Sequence, residues 1–200
     1  MGGRGLNKMS REKILAAVAK NKPTLTPLPD IQDFGNPYSD LVAQFTSVLT
    51  TIGGTVVEAR SWEEIQQYVQ THFAGRRMVT NLAPLADMAQ QSWLTSDPHS
   101  LDDVGLAILQ GQFAVAENSA VWVTEAEMGQ RVTPFIAETL ALVIKKSAIL
   151  PKMHHAYAQI GAAEYGFGAF IAGPSKTADI EQSLVLGAHG PKSMVAFLID

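Results

Sequence analysis

The chain has 200 residues, of which 46% are hydrophobic and 17% charged, the composition of a soluble globular domain. It contains no cysteine, which excludes disulfides, thiolate nucleophiles and iron–sulfur clusters held by this chain. The net charge is −4, from 15 basic and 19 acidic residues, whereas nonspecific nucleic-acid binding needs a basic face. The sequence has neither a long uninterrupted apolar run nor an apolar signal core at its start. We therefore expect a cytoplasmic protein with no membrane span and no nucleic-acid partner.

Residues 1–36 are predicted to form a short helix followed by a proline-rich arm. Ser10 is a suitable N-cap for a helix that reaches about Lys20. Its apolar face carries Ile14, Leu15 and Val18. Three prolines between residues 23 and 29 then exclude regular structure. The sequence leaves open whether this segment packs on the rest of the chain or docks on a partner.

Residues 37–200 are predicted to form one α/β domain, because helical and strand-like patterns alternate along them. Strands that alternate with helices favour a largely parallel sheet. The predicted helices cover residues 38–51, 61–73, 84–91 and 151–163. The predicted strands cover residues 55–59, 77–80, 113–116, 121–124, 139–144, 167–172 and 193–199.

The segment GPSKTADIEQSLVLGAHGP, residues 173–191, carries the densest set of candidate binding groups. Gly173 lets the backbone approach a ligand closely, Ser175 and Thr177 offer hydroxyl groups, and Lys176 offers a cation. Together with helix-start N–H groups, these residues suit a phosphate or a carboxylate. We expect the segment to follow a core strand, where open α/β sheets bind ligands at the carboxyl ends of their strands. The alternative is a Pro/Gly loop that leads into a short helix.

Candidate acid–base groups lie in the same segment and in one further turn. Asp179 and Glu181 follow the hydroxyl and lysine residues, and either carboxylate serves as a general base if burial raises its pKa. His189, between two glycines, is an acid–base group or a turn residue. Glu117 lies between two strand-like runs, where the alternative is a simple turn.

We expect no metal site. The five histidines are scattered, and neighbouring residues such as His154 and His155 point about 100° apart on a helix, which makes them a poor pair of ligands.

The two blocks GPSKTADIE, starting at Gly173, and LVLGAHGPK, starting at Leu184, closely resemble the signature of the LUD-domain family, lactate-utilisation protein C type. More loosely, the resemblance extends from about residue 37 to the C-terminus. It implies a NagB/RpiA/CoA-transferase-like fold with three α/β/α layers. Lys176 stands where arginine is common. Lysine keeps the positive charge but loses the bidentate hydrogen bonding that a guanidinium offers to a carboxylate.

The resemblance implies a subunit of a system that oxidises L-lactate to pyruvate with iron–sulfur partner proteins. The absence of cysteine fits this, since the partners would hold the clusters and this chain no cofactor. A small carboxylate would then be held by Lys176 and loop N–H groups, with Asp179, Glu181 or Glu117 as the base. A two-fold dimer is the default for a soluble oligomer.

The sequence departs from the family pattern at one loop. Family members usually carry Ala-Glu-Thr/Ser-Gly-Thr/Ser, whereas this chain has Ala116-Glu117-Asn118-Ser119-Ala120. Glycine tolerates backbone angles that serine resists, so the conformation of this loop, and any ligand it holds, can differ from those of the family. Two other functions therefore stay open. One is a stand-alone isomerase or acyl transferase for a small phosphorylated or CoA-linked substrate, with Glu117 as nucleophile or base. The other is a non-catalytic assembly subunit.

Overall fold

The computed structural model describes residues 5–30, 38–90, 92–178 and 184–200. The chain divides into two units, Met1–Phe34 and Gly35–Asp200. The first unit contains helix α1, Gly5–Lys20, followed by an extended stretch with no regular structure at residues 22–30. The predicted N-cap at Ser10 is wrong, because the helix begins at Gly5 and Ser10 lies inside it. No proline interrupts residues 5–10, so the helix continues through them.

The second unit alternates helices and strands along most of its length. Its α-helices are α2 Leu41–Thr51, α3 Trp62–His72, α4 Glu125–Met128, α5 Thr133–Ile136 and α6 Met153–Ile160. Its strands are β1 Thr55–Ala59, β2 Met78–Thr80, β3 Leu106–Gln110, β4 Phe113–Val115, β5 Val121–Thr124, β6 Thr139–Lys145, β7 Ile149–Leu150, β8 Gly168–Ile171, β9 Lys176–Thr177, β10 Val185–Leu186 and β11 Ser193–Ile199. Short 3-10 helices cover Ala83–Met88, Ser92–Thr95, Pro98–Leu101 and Lys146–Ala148. None of the helices in the described part of the chain is long and apolar enough to cross a membrane.

A parallel five-stranded sheet, in the order β1-β11-β6-β3-β2, forms the centre of this unit. The three central strands, β3, β6 and β11, are buried on both faces, which explains why β6 and β11 are almost continuously apolar. The prediction of a largely parallel sheet is confirmed. Strand β3, which the pattern did not predict, lies between β2 and β6.

The helices cover both faces of the sheet and give the three α/β/α layers. On one face, Ile65 and Val69 of α3 pack against Phe197 and its neighbours. On the other face, Phe45 and Leu49 of α2 pack into the larger core cluster. This second face is shared with a smaller sheet, whose inward side chains join the same cluster.

The smaller sheet has four strands in the order β7-β4-β5-β8, and the β4–β5 and β5–β8 pairs are antiparallel. Its outer face is aromatic, with Phe113, Trp122 and Phe170 in mutual ring contact. Helix α6 covers part of this face through Ala156. The remainder of the outer face is open and forms the floor of a cleft.

Candidate functional site

The segment from Gly173 to Pro191 contains an antiparallel hairpin made by β9 and β10. The Ser175 N–H donates to Pro191 O at 2.9 Å, and the Gly187 N–H donates to Ser175 O at 3.0 Å. Lys176 and His189 are exposed, whereas Gly173, Ser175 and Thr177 are half-buried. The hairpin thus holds the predicted anion-binding residues together at the surface. Asp179 and Glu181, the predicted acid–base residues, lie outside the described residues.

This hairpin lies at the amino ends of the parallel strands. A Cβ on Gly173 would lie 2.8 Å from Ile52, and one on Gly53 would lie 3.3 Å from Lys176 Nζ. Ile52 and Gly53 both come just before β1. Lys192 and Glu138 come just before β11 and β6, and the Lys192 N–H donates to Glu138 O at 2.9 Å. The expectation of a position at the carboxyl end of a core strand is wrong. The preceding strand, β8, is an edge strand of the smaller sheet, so its end does not coincide with the carboxyl edge of the main sheet.

Glu117 serves as a helix cap. It lies in the turn between β4 and β5, and its Oε2 accepts a hydrogen bond from the Met153 N–H at 3.0 Å. Met153 is the first residue of α6, whose own N-cap residue, Lys152, makes no side-chain capping bond. A carboxylate at this position satisfies a free N–H and opposes the positive end of the helix dipole. The contact gives Glu117 a structural role that the sequence did not indicate.

Ser119, which stands at the glycine of the family pattern, takes a left-handed backbone conformation with φ 56°. The turn is held by the Ala120 N–H, which donates to Asn118 Oδ1 at 3.1 Å. The hairpin register pairs Val121 with Ile171, so the turn lies at the same end of the smaller sheet as Gly173. The structure therefore places Glu117 and the start of the β9–β10 hairpin, which carries the predicted anion-binding residues, on one edge.

The two adjacent histidines on α6 lie closer together than expected. The ring centroids of His154 and His155 are 4.0 Å apart, so the expectation that they point apart is wrong. Side-chain torsions bring the rings together although their Cα–Cβ bonds diverge around the helix.

A cleft of about 870 Å³ opens on the outer face of the smaller sheet. Phe113 and Trp122 lie on its floor, and Tyr165, Arg131 and Gln112 are among the residues on its walls. Gln112 follows the carboxyl end of β3, so the cleft lies at the edge of the main sheet where α/β folds bind ligands. No motif in the sequence indicates this cleft, because its walls come from segments far apart in the chain.

A hydrogen-bonded carboxylate supports one side of the cleft. Glu127 Oε2 accepts from the Thr124 N–H at 2.9 Å and from Thr124 Oγ1 at 2.5 Å, and its Oε1 accepts from Gln112 Nε2 at 3.0 Å. Burial raises the pKa of the Glu127 carboxyl, but the hydrogen bonds from Gln112 and Thr124 outweigh it and leave the pKa below its ordinary value. Glu127 is therefore a fixed negative charge that orients the Gln112 side chain.

Similarity to known proteins agrees with this architecture. The sequence model of the LUD domain matches residues 99–199. A "Lactate utilization protein C" from Exiguobacterium is 27% identical over 78% of this chain and 76% of the relative. One from Bacillus pumilus is 30% identical over 50% of this chain and 44% of the relative, so the alignment spans less than half of that protein. The crystal structure of a DUF162 family protein from Deinococcus radiodurans superposes with a TM-score of 0.59 at 14% identity, covering 80% of this chain and 96% of that one.

The structural neighbour supports the fold alone, whereas the match to the LUD domain extends over half of the chain. That match includes the central strands β3, β6 and β11 as well as the Gly173 hairpin. The chain therefore belongs to the LUD-domain family.

Proposed function

We propose that this chain is a subunit of an L-lactate utilisation system that oxidises L-lactate to pyruvate together with iron–sulfur proteins. The observation that carries the proposal is the similarity to proteins named lactate utilization protein C, in one case over 78% of the chain. The oxidation releases two electrons and two protons from each lactate. Because the chain has no cysteine, cysteine-bound clusters that accept these electrons must reside in partner proteins.

In this proposal the β9–β10 hairpin binds the lactate carboxylate. Lys176 supplies an exposed cation on the hairpin, and Ser175 and Thr177 flank it along the strand. A charge-assisted hydrogen bond from lysine to a carboxylate is roughly twice as strong as a neutral one. Asp179 and Glu181 follow in the same segment and are the proposed bases for the lactate hydroxyl proton.

The test is an anaerobic pull-down of the tagged full chain from lactate-grown cells of its source. The eluate is assayed for iron and for dye reduction that depends on L-lactate. We expect iron-bearing partners and lactate turnover, with turnover reduced by Lys176→Gln and unchanged by Lys145→Gln. Lys145 is a matched control, since it is an exposed lysine at the carboxyl end of β6. An iron-free eluate without turnover overturns the proposal.

A second function, a non-catalytic assembly subunit, is favoured by the exposed apolar face of α1. Ile14, Leu15 and Val18 are 60%, 51% and 53% exposed. Deletion of residues 1–36 distinguishes the two functions in the same pull-down. An assembly subunit loses its partners on deletion and tolerates Lys176→Gln, whereas a lactate-binding subunit loses turnover with Lys176→Gln while its partners remain bound.

A further inference from the structure

The cleft on the smaller sheet is too large for the substrate of the proposed function. Its volume of about 870 Å³ lies in the range of pockets that enclose drug-sized or cofactor-sized ligands, of about 300–1,000 Å³. L-lactate has only three carbon atoms and would leave most of this space to water. The cleft therefore suits a second and larger ligand.

The cleft offers aromatic surface to a flat ring. Trp122 on the floor is only 6% exposed, and it supports Tyr165, whose ring stands perpendicular to it with centroids 5.2 Å apart. Tyr165 is 37% exposed, so part of its ring surface is free to contact a ligand. Aromatic pairs favour offset or edge-to-face arrangements with planar groups. A planar heterocycle is the ligand part that matches this wall.

Arg131 brings a guanidinium to the same cleft, where it pairs with the carboxylate of Glu125, which also lines the cleft. Its Nε and Nη2 both contact Glu125 Oε2 at 2.6 Å, and its guanidinium lies 5.8 Å from the ring centroid of Phe167. Within the described part of the chain, these contacts leave Nη1 without a hydrogen-bond partner. A guanidinium held on two sides in this way is pre-oriented for a phosphate or carboxylate.

The remaining polar groups on the walls suit the edge of a heterocycle. Gln159 and Gln112 carry amides, which donate and accept hydrogen bonds, and Glu164 carries an exposed carboxylate, which accepts them. A base with ring nitrogens and N–H groups presents both donors and acceptors. A plain apolar ring would form no hydrogen bonds with these groups.

We propose that this cleft binds a mononucleotide, with the heterocyclic base against Tyr165 and the phosphate at Arg131. The inference goes beyond the proposed function, because it concerns a different ligand at the opposite end of the smaller sheet. AMP and FMN share the required chemistry, a planar heterocycle joined to a phosphate, and they differ in the size of the ring.

The test is isothermal titration calorimetry of the full chain with AMP and with FMN as separate probes. Adenosine and riboflavin test the need for the phosphate, and inorganic phosphate tests the need for the ring. Arg131→Gln removes the proposed phosphate ligand, and Tyr165→Ala removes the aromatic wall. Arg76→Gln is a matched control, since Arg76 also contacts a carboxylate, Glu138 at 2.9 Å, and lies 6.0 Å from the ring of Phe73.

We expect one probe to bind at one site per chain, with affinity reduced about tenfold or more by Arg131→Gln, the loss typical of one hydrogen bond to a charged group. Arg76→Gln should leave the affinity unchanged, and adenosine or riboflavin should bind at least about tenfold more weakly than the matching nucleotide. Lack of binding by both probes to the folded wild type overturns the proposal. Binding that is unaffected by Arg131→Gln and by Tyr165→Ala also overturns it. If Arg131→Gln fails to fold in a thermal melt, Tyr165→Ala decides. Neither readout involves lactate turnover, so failure here is distinct from failure of the proposed function.

Discussion

Replacement of Glu117 distinguishes a helix cap from a catalytic base. In the structure its Oε2 accepts from the Met153 N–H at 3.0 Å, and Met153 begins α6. Loss of a side-chain cap costs about 0.5–2 kcal/mol, typically about 1 kcal/mol. A negative charge near a helix N-terminus contributes about 0.3–1 kcal/mol at an exposed position such as this one.

These two contributions overlap, because the same oxygen supplies both the hydrogen bond and the charge. We therefore expect Glu117→Ala to lower the free energy of unfolding by about 1–2 kcal/mol. Glu117→Gln keeps an oxygen acceptor and loses only the charge, so it should cost about 0.3–1 kcal/mol. For a chain of this length, about 1 kcal/mol corresponds to a melting temperature lower by roughly 2–4 °C.

The assay is urea unfolding at low and high salt, followed by lactate-dependent dye reduction with the captured partners. The difference between wild type and Glu117→Gln should shrink at high salt, because salt screens the charge–dipole interaction. Glu164→Ala serves as the control, since Glu164 is exposed and caps no helix. A capping role predicts that Glu117→Gln retains most of the turnover. Full stability combined with abolished turnover in Glu117→Gln would refute the reasoning and support a catalytic carboxylate.

Two further predictions concern a glycine and a half-buried carboxylate. Gly173→Ala should destabilise more than Gly75→Ala in thermal melts. Both glycines have positive φ, 72° and 75°, which costs an alanine about 1–2 kcal/mol, but only a Cβ at Gly173 would also lie 2.8 Å from Ile52. Equal losses of stability in the two variants would show that the Ile52 side chain moves away from the new Cβ at no energetic cost. The pKa of Glu127 is lowered from 4.5, so its stabilising contribution is present above that pH and is lost as the pH falls through the lower folded value. Glu127→Gln should therefore lose more stability at pH 7 than in acid, measured by urea midpoints, and a difference independent of pH would contradict this.

The strands of the main sheet could be predicted where their apolar runs are long. Predicted residues 193–199 match β11, and residues 139–144 match β6 to within one residue. Both strands are buried on two faces, so their sequences are nearly continuous in Val, Leu, Ile and Ala. Strand β3, Leu106–Gln110, was missed because its four-residue apolar run, residues 106–109, has no period of its own and is ambiguous between helix and strand. Its pairing with β2 and β6 is a nonlocal property.

The candidate site could be predicted only in part, because it too depends on nonlocal contacts. The segment 173–191 was identified by its residues, but not as a hairpin, and a pattern along one strand does not tell a core strand from the edge strand β8. The cleft is assembled from residues 112–131 and 159–165, which the β5–β8 pairing and the packing of α6 on the smaller sheet bring together. No short motif links these segments. The capping role of Glu117 likewise depends on the position of Met153, 36 residues later.

The positions of the hairpin and the cleft keep their proposed ligands apart. In the β5–β8 ladder, Val121 pairs with Ile171 at the end near Gly173, and Thr124 pairs with Gly168 at the end near the cleft. At about 3.4 Å per residue, this ladder alone separates the two ends by roughly 10 Å. Direct transfer between bound molecules requires reacting atoms about 3–3.5 Å apart. A hydride therefore cannot pass directly from a lactate at Lys176 to a nucleotide at Arg131 in the proposed arrangement. Lys176→Gln should accordingly reduce lactate turnover without changing the affinity for AMP or FMN, and Arg131→Gln should not alter the lactate concentration that gives half-maximal turnover. Loss of nucleotide affinity in Lys176→Gln would place both ligands in one site and contradict the separation.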